Sequence, residues 1–170
     1  MSSVAQFVFP ELDYSDTNPQ VEQFPGGVLG GGGTFSVLLR PPGKEAWRVI
    51  SIVQQYSAIA AGGNRSFSLS IADADQRTFY TVQQSAVCAP AGTATLVYSI
   101  ASSQVINVGS FGYAPLIDIV ILPTWFVFLT TAAAVAGDTA GPSTMYRIEY
   151  STTPNHSQSG TGLAATPVVL

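Results

Sequence analysis

Ionisable side chains are scarce in this 170-residue sequence: Asp, Glu, Lys and Arg make up 9% of it, against about 25% in an ordinary soluble domain. Lys44, His156 and Cys88 are each the single residue of their type. Each shortage removes a class of chemistry. One cysteine closes no internal disulfide, and with no basic neighbour to lower its pKa Cys88 reads as a small buried or turn residue, not a nucleophile. Zinc sites draw mainly on Cys and His, and one of each is too few, so no metal or cofactor is expected. A Ser-His-acid triad or a Cys-His pair would have to use His156, which stands in a polar C-terminal stretch with nothing to fix its tautomer. The five arginines (Arg40, Arg48, Arg65, Arg77, Arg147) are scattered through a chain of net charge -4. Nucleic acid is therefore not an expected partner.

Helix signals are nearly as scarce. The Thr131 to Ala136 alanine run is too short for an independent helix. The uncharged stretch from Ile119 to Gly137 is long enough to span a membrane, but β-branched Ile119, Val120 and Ile121 precede Pro123, and Trp125 to Leu129 follow it. That pattern predicts two buried strands around a Leu-Pro-Thr turn, with no membrane partner. The N-terminus lacks the positive start and long apolar core of a secretory signal, so export by that route is not expected.

What the sequence does contain is a period of two. Phe35, Val37 and Leu39 alternate with Thr34, Ser36 and Leu38; Phe67, Leu69 and Ile71 alternate with Ser66, Ser68 and Ser70; Tyr146, Ile148 and Tyr150 alternate with Arg147 and Glu149. Further runs at 47–56, 78–84, 93–100, 105–111, 118–122 and 125–131 bring the expectation to about nine strands. Turn residues separate them at Pro41-Pro42-Gly43, Gly62-Gly63-Asn64, Pro90-Ala91-Gly92 and Gly137 to Pro142. Strands with one apolar face must bury those faces together. An all-β, two-sheet antiparallel sandwich of jelly-roll-like form follows. The expected organisation is an acidic arm and Gly-rich hinge over 1–33, a sandwich body over 34–151 and a polar tail over 152–170.

The remaining motifs are weaker. Asp73 and Asp75 are spaced for half a calcium site, yet they read better as polar residues of a turn. Asp118 lies in the apolar run Leu116 to Leu122, where a raised pKa would suit one half of a glycosidase carboxylate pair; a buried Asp118 bonded to backbone or to an arginine is the alternative. The glycine run Gly26 to Gly33 lacks the Lys-Ser/Thr ending of a phosphate loop and leads into a strand. Asn64-Arg65-Ser66 and Asn155-His156-Ser157 match the glycosylation pattern, a three-residue match that arises often by chance.

The order Leu39-Arg40-Pro41-Pro42-Gly43, Trp47-Arg48-Val49-Ile50-Ser51-Ile52, Leu122-Pro123-Thr124-Trp125-Phe126-Val127-Phe128, Gly137-Asp138-Thr139 and Tyr146-Arg147-Ile148-Glu149-Tyr150 resembles small β-sandwich virion proteins of tailed bacteriophages, over residues 34 to 151. The resemblance implies a non-enzymatic virion part: a capsid cement or decoration protein, or a small tail or neck component, assembled in the host cytoplasm. Its implied partners are its own copies, as a homotrimer, and the major capsid protein or another virion protein. Low charge suits faces buried in an assembly, where each desolvated charge needs a partner. Candidate docking residues are Glu11, Asp13, Asp16 and Glu22 with the apolar anchors Phe7, Phe9 and Tyr14, and Val168 and Leu170 at the far tip, which either docks on a neighbour or frays. A carbohydrate-binding sandwich is the competing expectation, with Tyr56, Phe111, Tyr113 and Trp125 available to stack on sugar rings.

Overall fold

The computed structural model describes residues 13–151. Twelve strands and no helix occur among them. One sheet of eight strands contains β1 (Asp13–Phe24), β2 (Gly27–Val28), β4 (Glu45–Ser57), β7 (Thr93–Ser99), β8 (Ile106–Val108), β9 (Phe111–Pro115), β10 (Val120–Ile121) and β12 (Thr139–Ser151). Its spine runs β1-β12-β4-β7-β9-β8, with β2 on β12 and β10 on β4. The second sheet is β3 (Gly33–Leu39), β11 (Phe126–Ala134), β5 (Arg65–Ala72) and β6 (Thr78–Cys88), in the order β3-β11-β5-β6. Pairing is antiparallel except between β7 and β9, which run parallel.

The alternation read from the sequence decides which face each strand buries. On β5, Phe67, Leu69 and Ile71 point inward and are fully buried, while Ser66, Ser68 and Ser70 face out. Leu69 sits in register between Leu129 of β11 and Val82 of β6, giving three apolar side chains abreast. The large sheet answers with Trp47, Val49, Ile52 and Tyr56 from β4, Leu96 and Tyr98 from β7, and Met145 from β12. Each large side chain so enclosed stabilises the fold by about 1.5–3 kcal/mol relative to exposure.

The expected two-sheet sandwich is the observed architecture, with more strands than the nine anticipated. The run 105–111 divides into β8 and β9 at a Gly109-Ser110 turn, where Gly109 adopts a φ of 63° that favours glycine. Two further strands come from the segment expected to be an arm and hinge. Asn18 to Phe24 of β1 pair with β12 from Glu149 back to Ser143. Their polar sequence shows no apolar alternation, because an edge strand can be held by backbone bonds to one neighbour. Gly26 serves a close approach and not a hinge: a Cβ there would lie 2.6 Å from the carbonyl carbon of Gly141. Residues 139–142, expected in a loop, already belong to β12, and the alanine run extends β11 to Ala134 past a bulge at Ala133. The anticipated Leu-Pro-Thr turn is present, closed by the Trp125 amide donating to the Leu122 carbonyl at 2.9 Å.

The two sheets come closest where β6 passes β9. Gln84 Nε2 donates to the Val97 carbonyl at 3.2 Å, and the Tyr80 hydroxyl donates to the Pro115 carbonyl at 2.8 Å. Gly112 makes this contact possible, since a Cβ on it would stand 2.6 Å from Ala86 Cβ and 2.8 Å from Gln84 Oε1. Replacing glycine by alanine in extended backbone ordinarily stabilises by about 0.4–1 kcal/mol. Gly112→Ala is expected to do the opposite and lower unfolding free energy in urea by about 1–3 kcal/mol, the range of overpacked cores; a stabilised variant would contradict this packing.

Candidate functional site

The charged groups fall into two settings. Asp138 and Arg65 are both fully buried and face each other at one end of the sandwich. Arg65 Nε donates to Asp138 Oδ2 and Nη2 to Oδ1, each at 2.9 Å. The carboxylate also accepts the Tyr56 hydroxyl at 2.7 Å and the Ile59 and Val135 amides at 2.9 Å. Arg65 spends its other N–H groups on the carbonyls of Ala61 and Gly63. Burial alone would push the Asp138 carboxyl up; the Arg65 guanidinium, the two amides and Tyr56 overcome it and hold the carboxyl well below the usual range. Burial, then the Asp138 hydrogen bond, raises the Tyr56 phenol. Nearby Cys88 is buried, and desolvation raises its thiol, which makes it unreactive.

This constellation, absent from the expectations above, had a signal in the sequence. Arg65 is the only charged residue between Arg48 and Asp73, and Asp138 the only one between Asp118 and Arg147. Two isolated opposite charges beside apolar strands can enter a core only together.

The other described charges gather toward the opposite end. Asp118 was expected in an apolar setting with a raised pKa. It is instead half-exposed and bound bidentately by Arg48, Nε to Oδ1 at 2.7 Å and Nη2 to Oδ2 at 2.6 Å. The arginine contact anticipated as the alternative is therefore present, but half-exposed and not buried, and the hydrogen bond from Arg48 lowers the Asp118 pKa where an apolar setting would raise it. The run around it faces solvent at Ile117 and Asp118 before β10 turns inward at Ile121. Asp73 caps the β5–β6 turn by accepting the Asp75 and Arg77 amides at 2.9 and 2.8 Å, in keeping with the turn reading. Arg147 lies over the Trp47 ring at 4.2 Å and bonds both Glu22 and Glu149. A cleft of about 380 Å³ opens beside it, lined by Glu22, Phe24, Leu38, Arg40 and Trp47. Its buried guanidinium is thus already committed to two carboxylates.

Between these ends both sheets present neutral outer faces. On the four-stranded sheet, Ser36, Thr130, Ser68 and Gln83 align in one row and Leu38, Phe128, Ser70 and Thr81 in the next. The hydroxyls of Ser36 and Thr130 pair at 2.9 Å and those of Ser70 and Thr81 at 3.0 Å. On the large sheet, Gln23, Thr144, Val53, Val97, Tyr113 and Ile106 form a row across six strands. None of these side chains is charged. The loops at the Asp138 end, 29–32, 58–64, 89–92, 109–110 and 135–138, carry no charged residue except Asp138 itself.

Of the docking residues expected from sequence, Phe7, Phe9, Glu11, Val168 and Leu170 lie outside the described residues, as does His156. Asp13, Tyr14 and Asp16 fall on β1, and Glu22 of the same strand pairs with Arg147. The four aromatics considered for sugar stacking are dispersed. Tyr56 is buried against Phe67 and Trp125 packs edge-on against Phe79 at 4.8 Å, leaving Phe111 and Tyr113 exposed together on β9.

No protein-family model and no curated protein matches this sequence. Among solved structures, the chain is similar to one in the structure of infectious bursal disease virus Gx strain, at 9% identity and a TM-score of 0.26. The match covers 81% of this chain and 37% of that viral chain. Among the described residues the fold and its surfaces define a two-sheet β-sandwich with neutral outer faces and a fully buried Arg65–Asp138 pair.

Asp138 sets a pH dependence with a definite sign. Its folded pKa is depressed below the unfolded value of about 3.9, so its stabilisation is complete above that value and is lost as pH falls through the folded pKa. Asp138→Asn should lower stability at neutral pH by about 3 kcal/mol or more, because it leaves Arg65 buried without its counter-charge. Melting temperatures followed from about pH 7 to pH 2 should fall less steeply for the variant below about pH 4; parallel curves would show that Asp138 does not control the acid limb.

Proposed function

We propose that the protein is a non-enzymatic structural subunit of a virion, of the capsid cement or decoration type, which works by packing against its own copies and against a shell protein. The observation that carries this reading is the placement of charge. Among the described residues the outer faces of both sheets are neutral, one buried pair closes the Asp138 end, and the exposed charges collect at the other. A face of Ser, Thr, Gln and aliphatic residues can be desolvated against a neighbour without stranding an ion. A tail or neck position uses the same faces and is a different location for the same role.

The buried and half-buried ionic groups are held in pairs that serve the fold, which supports a structural role over acid-base chemistry. Asp138 is consumed by five donors and Asp118 by Arg48. Phe111 and Tyr113 keep a glycan-binding reading open to test on a glycan array, where binding lost on Tyr113→Ala would support it over assembly.

The docking arm has a sharp boundary for experiment. Deleting residues 2–12 removes Phe7, Phe9 and Glu11 and stops before β1. The truncated chain is expected to melt within about 2 °C of the full chain, since no described strand is touched, and to be missing from purified particles. Density for this chain on particles carrying the truncation, at full occupancy, would remove residues 2–12, with Phe7, Phe9 and Glu11, from the attachment mechanism.

A further inference from the structure

Residues 78–117 form forty consecutive positions without Asp, Glu, Lys, Arg or His. The fold gathers them on one flank, since this stretch supplies β6, β7, β8 and β9, and β6 passes directly beside β9. Of the twelve large hydrophobic side chains exposed among the described residues, eight belong to it. Four of them form a square on the outward face of the β8–β9 hairpin. Ile106 pairs across the ladder with Tyr113 and Val108 with Phe111, and Val108 is 62% and Phe111 45% exposed.

Among the described residues β8 is also the open edge of the large sheet, with β9 on one side and no described strand on the other. Edge strands are normally guarded by charge, proline or a bulge, because their unpaired N–H and C=O groups template pairing. β1, the opposite edge, follows that rule with Asp13, Asp16, Pro19 and Glu22. Ile106-Asn107-Val108 has none of these guards. β6, the other edge on this flank, takes up extra residues against β5 at two register shifts, which bend it away from the straight edge that a new strand requires.

Resting on the assembly reading above, we propose that the β8 edge is the contact between two copies of this chain: β8 pairs antiparallel with β8 of a second copy about a two-fold axis centred on Asn107. The large sheet then runs continuously through the dimer. Charge identifies the occupant. In a chain of net charge -4, two copies brought together through this flank place no like charges in contact, whereas its acidic opposite edge would repel itself. An isologous edge also needs no second kind of recognition surface, because each β8 supplies the donors and acceptors that the other lacks. With the axis at Asn107, Ile106 of one copy lies opposite Val108 of the other, and the two apolar squares join into one strip.

The test is self-association of the full chain, followed by native mass spectrometry and sedimentation over a concentration series. The wild-type chain should populate dimers or their even multiples. Val108→Lys places a charge on an exposed strand position that tolerates it, so the melting temperature should stay within about 2 °C, while the dimer dissociation constant rises by about a hundredfold through charge burial in the contact. Because the register sets position 106 against 108, the I106D/V108K double variant should recover dimerisation. A wild-type monomer at all concentrations, a trimer unaffected by Val108→Lys, or a double variant no better than the single one would each overturn the β8 contact. The assembly reading is scored separately on purified particles. Chains found there as monomers leave it standing without the β8 contact, and dimers never found on particles leave the contact standing without the virion role.

Discussion

The Arg65–Asp138 pair is the constraint around which the sandwich is arranged. Asp138 opens the turn into β12 of the large sheet and Arg65 begins β5 of the small one, so their two hydrogen bonds join the layers directly. The same carboxylate orders its own turn through the Val135 amide and reaches β4 through Tyr56. From there the backbone spreads the constraint outward. The Asp138 carbonyl accepts the Leu29 amide at 2.7 Å, and the Ile59 carbonyl accepts the Ala91 amide at 2.9 Å. Loops rich in glycine and alanine, anchored in the core by Leu29 and Ala58, are thereby tied to one another as well. An ion pair removed from water contributes little net stability by attraction alone, and one with every donor and acceptor engaged chiefly selects a single arrangement.

That selection is what a nearly neutral chain lacks elsewhere. Hydrophobic burial is non-directional, and alternating faces fix which side of a strand is inside without fixing which strands are neighbours. Here the ionic contacts supply directional information at both ends. Arg48 and Asp118 hold the approach to β10 against β4, and Arg147 bridges β1 and β12 while covering Trp47. The middle of the molecule is left to shape, with Gly112 setting how closely β6 and β9 can approach. The few charges of this chain thus sit where strand order is decided, and the broad faces are free of them.

How much of this could be read in the sequence depended on whether the deciding interaction was local. β5 and β3 alternate so regularly that their faces follow from Phe67, Leu69, Ile71 and from Phe35, Val37, Leu39 alone. The Leu122 turn and the Asp73 turn were legible for the same reason, each closed by atoms a few residues apart. β1 was not, because its partner is β12, more than a hundred residues away, and its residues bear no pattern of their own. The settings of two aspartates were misjudged for a related reason. Asp118 has apolar neighbours in sequence but solvent and Arg48 in space, while Asp138 has a glycine beside it in sequence and the core around it in space. Arg65, inside an apparent glycosylation triplet, is the cationic half of the clasp. Isolation of a charge within a long uncharged stretch proved a better guide to burial than the hydrophobicity of its immediate neighbours.

The same separation of charge gives the two edges of the large sheet different fates. The sequence of β1 carries acidic residues and Pro19, the residue types that disfavour a further ladder at an edge. On the β8 side the sheet ends, among the described residues, on a three-residue segment whose neighbours are Ser, Gln, Val and Gly. A monomer designed to remain alone would place a lysine there, and the single lysine of this sequence is at position 44, beyond the opposite end of β4. The uncharged flank could be buried without loss of a solvated ion. The scarcity of charge is consequently a matter of placement as much as of number: among the described residues charged groups fix strand order, cap a turn or lie at one end, and they are missing from the 78–117 flank.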